Sequence, residues 1–185
     1  MMLHLFQRSA SSKSIAALYG TIVAQARAPA FYRVYGVPDT INGRFEMVVL
    51  HMVLVLRRLE SEPAPLRKRG QALFNRFCAD MDGSLREMGV GDLAVPVKMR
   101  KIGQAFYGRQ AAYAAALAAS EPEALAATLA RNVFGQESGM PAGAGRLASY
   151  MRAAIRQLAG RDGETVGRGE LDFPDPEAMT VTNQA

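Results

Sequence analysis

The sequence predicts an all-α fold, a single-domain helical bundle of about six to seven helices around a buried central helix at about 43–59. Apolar residues recur at helical spacing along most of the chain, and the alternating patterns of strands are lacking. Of the 185 residues, 49% are hydrophobic, which is enough for one sizeable core. We expect a flexible N-terminus at 1–13, a helical domain at 14–160 and a mobile, acidic, proline-containing tail at 161–185.

The central helix is predicted from the run NGRFEMVVLHMVLVLRR, residues 42–58. Its apolar side chains cover nearly the whole circumference, so we expect it to be buried inside the bundle. The uninterrupted apolar stretch is about ten residues long and includes His51, whereas a bilayer span needs roughly 20. We interpret His51 as a hydrogen-bonded core residue.

Proline, glycine and capping residues mark the other helices. Ser14 is the expected N-cap of the first, Gly89 ends the helix after the central one, and Pro96 opens the next. Ser120 and Glu123 have the spacing of a capping box for a helix of about twelve residues. The remaining predicted ranges are about 15–28, 65–88, 96–119 and 146–158.

The net charge of +5 suggests an anionic partner, such as RNA or lipid headgroups, without specifying which. Lys98, Arg100 and Lys101 crowd the first turns of the helix that begins at Pro96, where the helix dipole disfavours cations. An anionic partner would reverse that cost, so these three residues are candidates for contact with phosphate or an anionic membrane. The alternative is that they are ordinary solubilising residues.

The run DMDGSL, residues 80–85, matches the signature of a Mg²⁺-dependent phosphohydrolase. In such a site Asp80 is the nucleophile and Asp82 a general acid or base, and the first must follow a buried strand. Here the preceding residues continue a helical stripe, and on a helix the two aspartates point about 200° apart. We therefore favour the helix and expect no catalytic residues, metal ligands or cofactor, keeping the phosphohydrolase as an alternative.

Two longer segments, YGTIVAQARAPAFYRVYGVPDTINGRFEMVVLH (19–51) and DMDGSLREMGVGDLAVPVKMRKIGQAFYGR (80–109), resemble the ubiquinol-cytochrome c chaperone family. With the following AAYAAAL, the resemblance covers about 19–117. It implies an all-helical, non-catalytic assembly factor for the cytochrome bc complex. The implied client is newly made cytochrome b. Contact with the ribosome and peripheral contact with an anionic membrane are further expectations, and DNA is not an expected partner.

The polar positions inside the matching segments are the candidate residues for contact with a client or partner. They are Arg44, Glu46, Asp80, Asp82, Arg86, Glu87, Asp92, Lys98, Lys101, Tyr107 and Arg109. For each of them, maintenance of the fold through caps and ion pairs is the alternative account.

The chain lacks the long N-terminal extension of mitochondrial relatives, which favours a bacterial member at the cytoplasmic face of the inner membrane. A eukaryotic member would act in the mitochondrial matrix. A further alternative is a quinone or lipid carrier with a pocket beside the central helix.

Overall fold

Every regular element in the described part of the chain is a helix, which confirms the all-α prediction. The structure, a computed structural model, describes residues 2–136 and 139–181, with side chains over 13–136 and 139–179. The helices are α1 (Met2–Ala26), α2 (Pro29–Arg33), α3 (Ile41–Glu60), α4 (Ala64–Glu87), α5 (Val95–Ala118), α6 (Ala124–Asn132), α7 (Ala142–Ala159), α8 (Gly163–Arg168) and α9 (Ala178–Val181).

The central helix is α3, as the sequence predicts. Thirteen of its twenty residues are buried, and it contacts α1, α4, α5, α7 and α8. The hydroxyl of Thr40 caps its start by accepting a hydrogen bond from the Gly43 amide at 3.1 Å. Because each fully buried aliphatic side chain contributes about 1.5–3 kcal/mol, this helix contributes more hydrophobic stabilisation than any other single helix of the described chain.

The helices α3, α4 and α5 pack against one another, and successive helices run in opposite directions. Their inner faces meet through aromatic rings: the Phe77 ring lies 6.4 Å from that of Phe45 and 5.4 Å from that of Phe106. As a result, the start of α3, the end of α4 and the start of α5 lie together at one end of the bundle.

His51 joins α3 to α7, which confirms its interpretation as a core histidine. Its Nδ1 donates to the Met47 carbonyl at 2.8 Å, which leaves Nε2 to accept from the Tyr150 hydroxyl at 2.8 Å. The Gln25 amide in turn donates to the Tyr150 hydroxyl at 2.9 Å. Burial lowers the pKa of His51 to about 4, so the ring is neutral near pH 7.

Several predicted boundaries and caps are wrong. α1 begins at Met2 rather than near Ile15, and the Ser14 hydroxyl donates to the Gly167 carbonyl at 3.3 Å instead of capping a helix. The capping box also fails, since Glu123 is itself the N-cap residue of α6 and makes no side-chain cap. How freely residues 1–13 move stays a prediction.

The segment after residue 160 differs from the mobile tail that we predicted. α8 lies within it, and Val166 is fully buried. The apolar residues Leu171 and Phe173 pack against the core, and the Tyr35 hydroxyl donates to the Pro176 carbonyl at 3.1 Å. The composition is polar on average, but its few apolar side chains are spaced to reach the core. Residues 182–185 of the predicted tail lie outside the described residues.

Candidate functional site

An apolar groove of about 810 Å³ opens at the end of the bundle where α3 begins, α4 ends and α5 begins. Helical spacing creates it: Met81, Leu85 and Met88 are at positions i, i+4 and i+7 along the end of α4 and share one face. The apolar lining is Ile41, Phe45, Val48, Met81, Leu85, Met88, Ile102 and Ala105.

The groove lining includes side chains that remain open to solvent. Ile41 is 76% exposed and Met88 is 56% exposed, although both are large and apolar. Methionine is unbranched and polarisable, so Met81 and Met88 can adapt to differently shaped surfaces. A groove of this kind suits the apolar face of a helix, which inserts side chains at i, i+3, i+4 and i+7.

The charged side chains at the rim of the groove are mostly cationic. Arg27, Arg44 and Lys101 line it, opposed by Glu87. The Arg44 guanidinium donates to the Asp39 carboxylate at 2.5 and 3.2 Å, and this contact lowers the pKa of Asp39. Within the described residues Arg27 and Lys101 form no ion pair, so their charges remain available to a partner.

Glu46 of α3 and Arg109 of α5, which lie on two of the helices that line the groove, form an ion pair whose carboxylate is buried. The Glu46 carboxylate is 2% exposed and accepts two hydrogen bonds from Arg109, at 2.8 and 2.9 Å. The carboxylate raises the pKa of Arg109. The Tyr113 hydroxyl, one turn along α5, is buried with no hydrogen-bond partner among the described residues, and burial raises its pKa. Both candidates, Glu46 and Arg109, therefore hold two helices together and are largely withdrawn from a partner's reach.

The aspartates of the DMDGSL run go to different partners on one continuous helix, α4. Asp80 accepts a hydrogen bond from the Tyr19 hydroxyl at 2.8 Å, and Asp82 pairs with Arg86 at 2.6 Å. Arg76 lies over the Tyr19 ring, 5.9 Å from its centroid. Neither aspartate follows a strand, so the geometry of a phosphohydrolase nucleophile is not present in this run.

Other candidates lie on the surface near the groove or beyond it. Arg86 also pairs with Asp92 at 2.5 Å, so its charge is shared between two exposed carboxylates. Tyr107 lies on the other side of α5, where its ring packs 5.5 Å from that of Phe74 beside a smaller cleft of about 240 Å³. Lys98 and Arg100 are exposed on the first turns of α5 and form no ion pair with the described side chains. The structure thus brings Arg44, Glu87 and Lys101 together at one groove and leaves the remaining candidates elsewhere.

Sequence reasoning missed the apolar lining of the groove and the rim residue Arg27. Six of the eight apolar lining residues lie on the same helical stripes as core residues, so periodicity assigned them to the interior. The apolar residues in the loop between α4 and α5 are a sequence feature that could have indicated an exposed apolar surface at this end. In the structure, Leu93 of this loop is 96% exposed.

None of the helices within the described ranges has the length and apolar character that a membrane span requires. In the same part of the chain, no group of three or more His, Cys, Asp or Glu side chains is arranged to hold a metal ion.

Comparisons with known proteins agree on one family. The model of the ubiquinol-cytochrome C chaperone family matches residues 33–173. The ubiquinol-cytochrome-c reductase complex assembly factor 1 of Xenopus laevis is 26% identical over 147 residues, which is 80% of this chain and 73% of that protein. The crystal structure of the Cbp3 homolog from Brucella abortus superposes with a TM-score of 0.84 at 38% identity, over 96% of this chain and 98% of the other.

Proposed function

This chain belongs to the ubiquinol-cytochrome C chaperone family, and we propose that it is an assembly chaperone of the ubiquinol-cytochrome c reductase complex whose client is newly made cytochrome b. Its role is to bind rather than to catalyse. The observation that carries the proposal is the groove: a large apolar surface, lined by two methionines and left open to solvent. Cytochrome b consists of apolar membrane helices, and one face of such a helix fits a groove of this shape.

The cationic rim supports a place of action at a membrane. Arg27 and Lys101 keep their charges unpaired at the groove within the described part of the chain, and anionic lipid headgroups attract such residues. We place the protein at the cytoplasmic face of a bacterial inner membrane, in peripheral contact with lipid and near the ribosome that makes the client. Lys98, Arg100 and Lys101 are the proposed lipid-facing cations.

The client is tested by crosslinking in detergent-solubilised membranes of the source cell, followed by capture of the tagged chaperone. Ala105 lines the groove, whereas Ala111 lies on an exposed face of the same helix. We expect Ala105→Arg to reduce recovery of cytochrome b at least about fivefold, because the guanidinium would have to be desolvated beside the client. Ala111→Arg adds the same charge and bulk outside the groove and should behave like the wild type.

Two results would overturn the proposal. Absence of cytochrome b from the wild-type capture would show that the client is wrong. Equal recovery with both variants would show that the groove is not the binding surface. Lipid or quinone held by the wild type and lost from Ala105→Arg, seen by native mass spectrometry, would instead favour the carrier alternative.

A further inference from the structure

Exposed apolar side chains concentrate at the groove end of the bundle. Of the seven large hydrophobic residues that are exposed among the described side chains, four lie where α3 starts, α4 ends and α5 starts. They are Ile41 (76% exposed), Met88 (56%), Leu93 (96%) and Val97 (51%), and we call them the apolar tip. Exposing this much apolar surface in one place is unfavourable in water and marks an interaction site.

Unpaired cations lie at the same end of the bundle as the apolar tip. Arg27, Lys98, Arg100 and Lys101 are all exposed, and none forms an ion pair within the described part of the chain. Among the described residues, Glu87 is the one unpaired carboxylate that lines the neighbouring groove. The local charge therefore favours an anionic partner.

We propose that the apolar tip inserts into the surface of an anionic lipid bilayer, with Lys98 and Lys101 contacting the headgroups. Apolar side chains ringed by lysine and arginine are what an interfacial membrane contact requires, because the first are buried among acyl chains while the second remain at the headgroups. RNA would account for the cations but not for Leu93, which has no apolar partner on a phosphate backbone.

Insertion of the apolar tip also determines where the groove lies relative to the membrane. Ile41 and Met88 belong both to the apolar tip and to the groove lining, so a tip at the bilayer places the groove mouth at the membrane surface. A client helix could then pass between groove and bilayer without crossing open water. The inference rests on the proposed function, for which it supplies the place of membrane contact.

Insertion is measured with a single tryptophan, because the chain contains none. Leu93→Trp carries the probe at the apolar tip. Ala64→Trp carries it at the exposed first position of α4, at the opposite end of a helix of 24 residues and roughly 36 Å. With phosphatidylcholine vesicles containing phosphatidylglycerol, the Leu93→Trp emission should shift to the blue and be quenched by brominated acyl chains. The Ala64→Trp emission should not change; equal behaviour of the two probes would overturn the proposal.

The apolar contribution is measured separately by vesicle flotation of chains without tryptophan. Leu93→Ser with Val97→Ser should weaken partitioning about tenfold, given the transfer free energy of two partly buried aliphatic side chains. Val34→Ser with Met140→Ser removes two large apolar residues that are 39% and 46% exposed and are not part of the apolar tip, and should leave partitioning unchanged. Equal partitioning of both double variants would rule out insertion.

The cationic contribution has its own pair of variants. Lys98→Gln with Lys101→Gln should weaken partitioning about fivefold per lysine at low salt, and the difference should vanish at high salt. Lys13→Gln with Lys68→Gln removes the same net charge elsewhere and should cost much less. If the two double variants lose the same amount of partitioning, the attraction depends on net charge alone and the proposed orientation is wrong.

The membrane test and the client test fail independently. The client crosslinking is carried out in detergent, where the bilayer plays no part, and its variant, Ala105→Arg, is not in the apolar tip. If the Leu93→Ser and Val97→Ser chain binds vesicles like the wild type but no longer captures cytochrome b, the tip is a protein-binding surface and the bilayer proposal is wrong.

Discussion

The Arg109 guanidinium donates two hydrogen bonds to the Glu46 carboxylate, at 2.8 and 2.9 Å, and so joins α5 to α3. Glu46 is 2% exposed whereas the Arg109 side chain is 27% exposed. The negative charge of the buried carboxylate is therefore balanced by Arg109 alone among the ion pairs of the described residues. Both helices contribute residues to the lining of the groove, and the ion pair links them.

Arg109→Ala should lower the free energy of unfolding by about 2–4 kcal/mol, because it leaves a buried carboxylate without its cation. The effect is placed below that of a fully buried pair, since Arg109 retains some contact with water. Urea denaturation at pH 7 measures it. Arg86→Ala, which removes an exposed pair with Asp82 and Asp92, should cost at most about 1 kcal/mol.

The double variant Glu46→Leu with Arg109→Leu separates the pair from its members. Replacing both partners removes the unpaired charge, so the double variant should be more stable than Arg109→Ala. If the losses measured for Glu46→Leu alone and Arg109→Leu alone simply add in the double variant, the two side chains are not coupled.

His51 should make stability depend on pH in the weakly acidic range. Its pKa is about 4 in the folded protein against an ordinary 6.5, so between these values the unfolded chain binds a proton that the folded chain does not. The stabilisation is complete above pH 6.5 and is lost as the pH falls toward 4. We expect a loss of about 2 kcal/mol between about pH 7 and about pH 5, measured by urea denaturation at each pH.

The same series in His51→Gln should be flat by comparison over this range. His4→Gln replaces the other histidine of the chain and should keep the wild-type slope. A His51→Gln chain with an unchanged slope would assign the pH dependence to other groups.

Gly43→Ala should destabilise the protein by about 2 kcal/mol through overpacking. Gly43 lies in the first turn of α3, and a Cβ there would overlap the Pro38 carbonyl oxygen. Gly103→Ala is the matched change in α5, where a Cβ would meet nothing within 4 Å. It should be neutral or stabilise the helix by up to about 1 kcal/mol, as alanine does relative to glycine. Similar thermal unfolding midpoints for the two variants would contradict the close approach.

Arg58 should hold the C-terminal segment on the bundle. It donates to the Leu158 carbonyl at 2.9 Å and to the Arg161 carbonyl at 2.7 Å, and it pairs with Glu62. In Arg58→Ala we expect amide hydrogen exchange within α8 to speed up about tenfold or more, because hydrogen bonds from a charged donor are lost. The neighbouring Arg57 is exposed, and Arg57→Ala should leave α8 protected. Unchanged exchange in Arg58→Ala would mean that apolar packing alone retains this segment.

The errors in the predicted fold occur where local signals compete with tertiary contacts. Ser14 is a residue type that often caps helices, but its hydroxyl donates a hydrogen bond to the carbonyl of Gly167, which is distant in sequence. The tail after residue 160 is polar on average, yet it packs against the core through Val166 and Phe173. Such contacts join residues that are distant in sequence, so composition and spacing near each residue do not reveal them.

Local patterns were enough to identify most of the long helices, the buried centre and, through two distinctive segments, the family. The buried character of α3 follows from apolar residues around its whole circumference, and Pro96 marks the start of α5 to within a residue. Which apolar residues line a groove, and which polar candidates meet there, depended on the packing of the helices. A stripe at helical spacing looks the same whether it faces the core, as Phe77 does, or an open groove, as Met88 does. The difference depends on whether a neighbouring helix covers the stripe, and that is settled by how α3, α4 and α5 pack together.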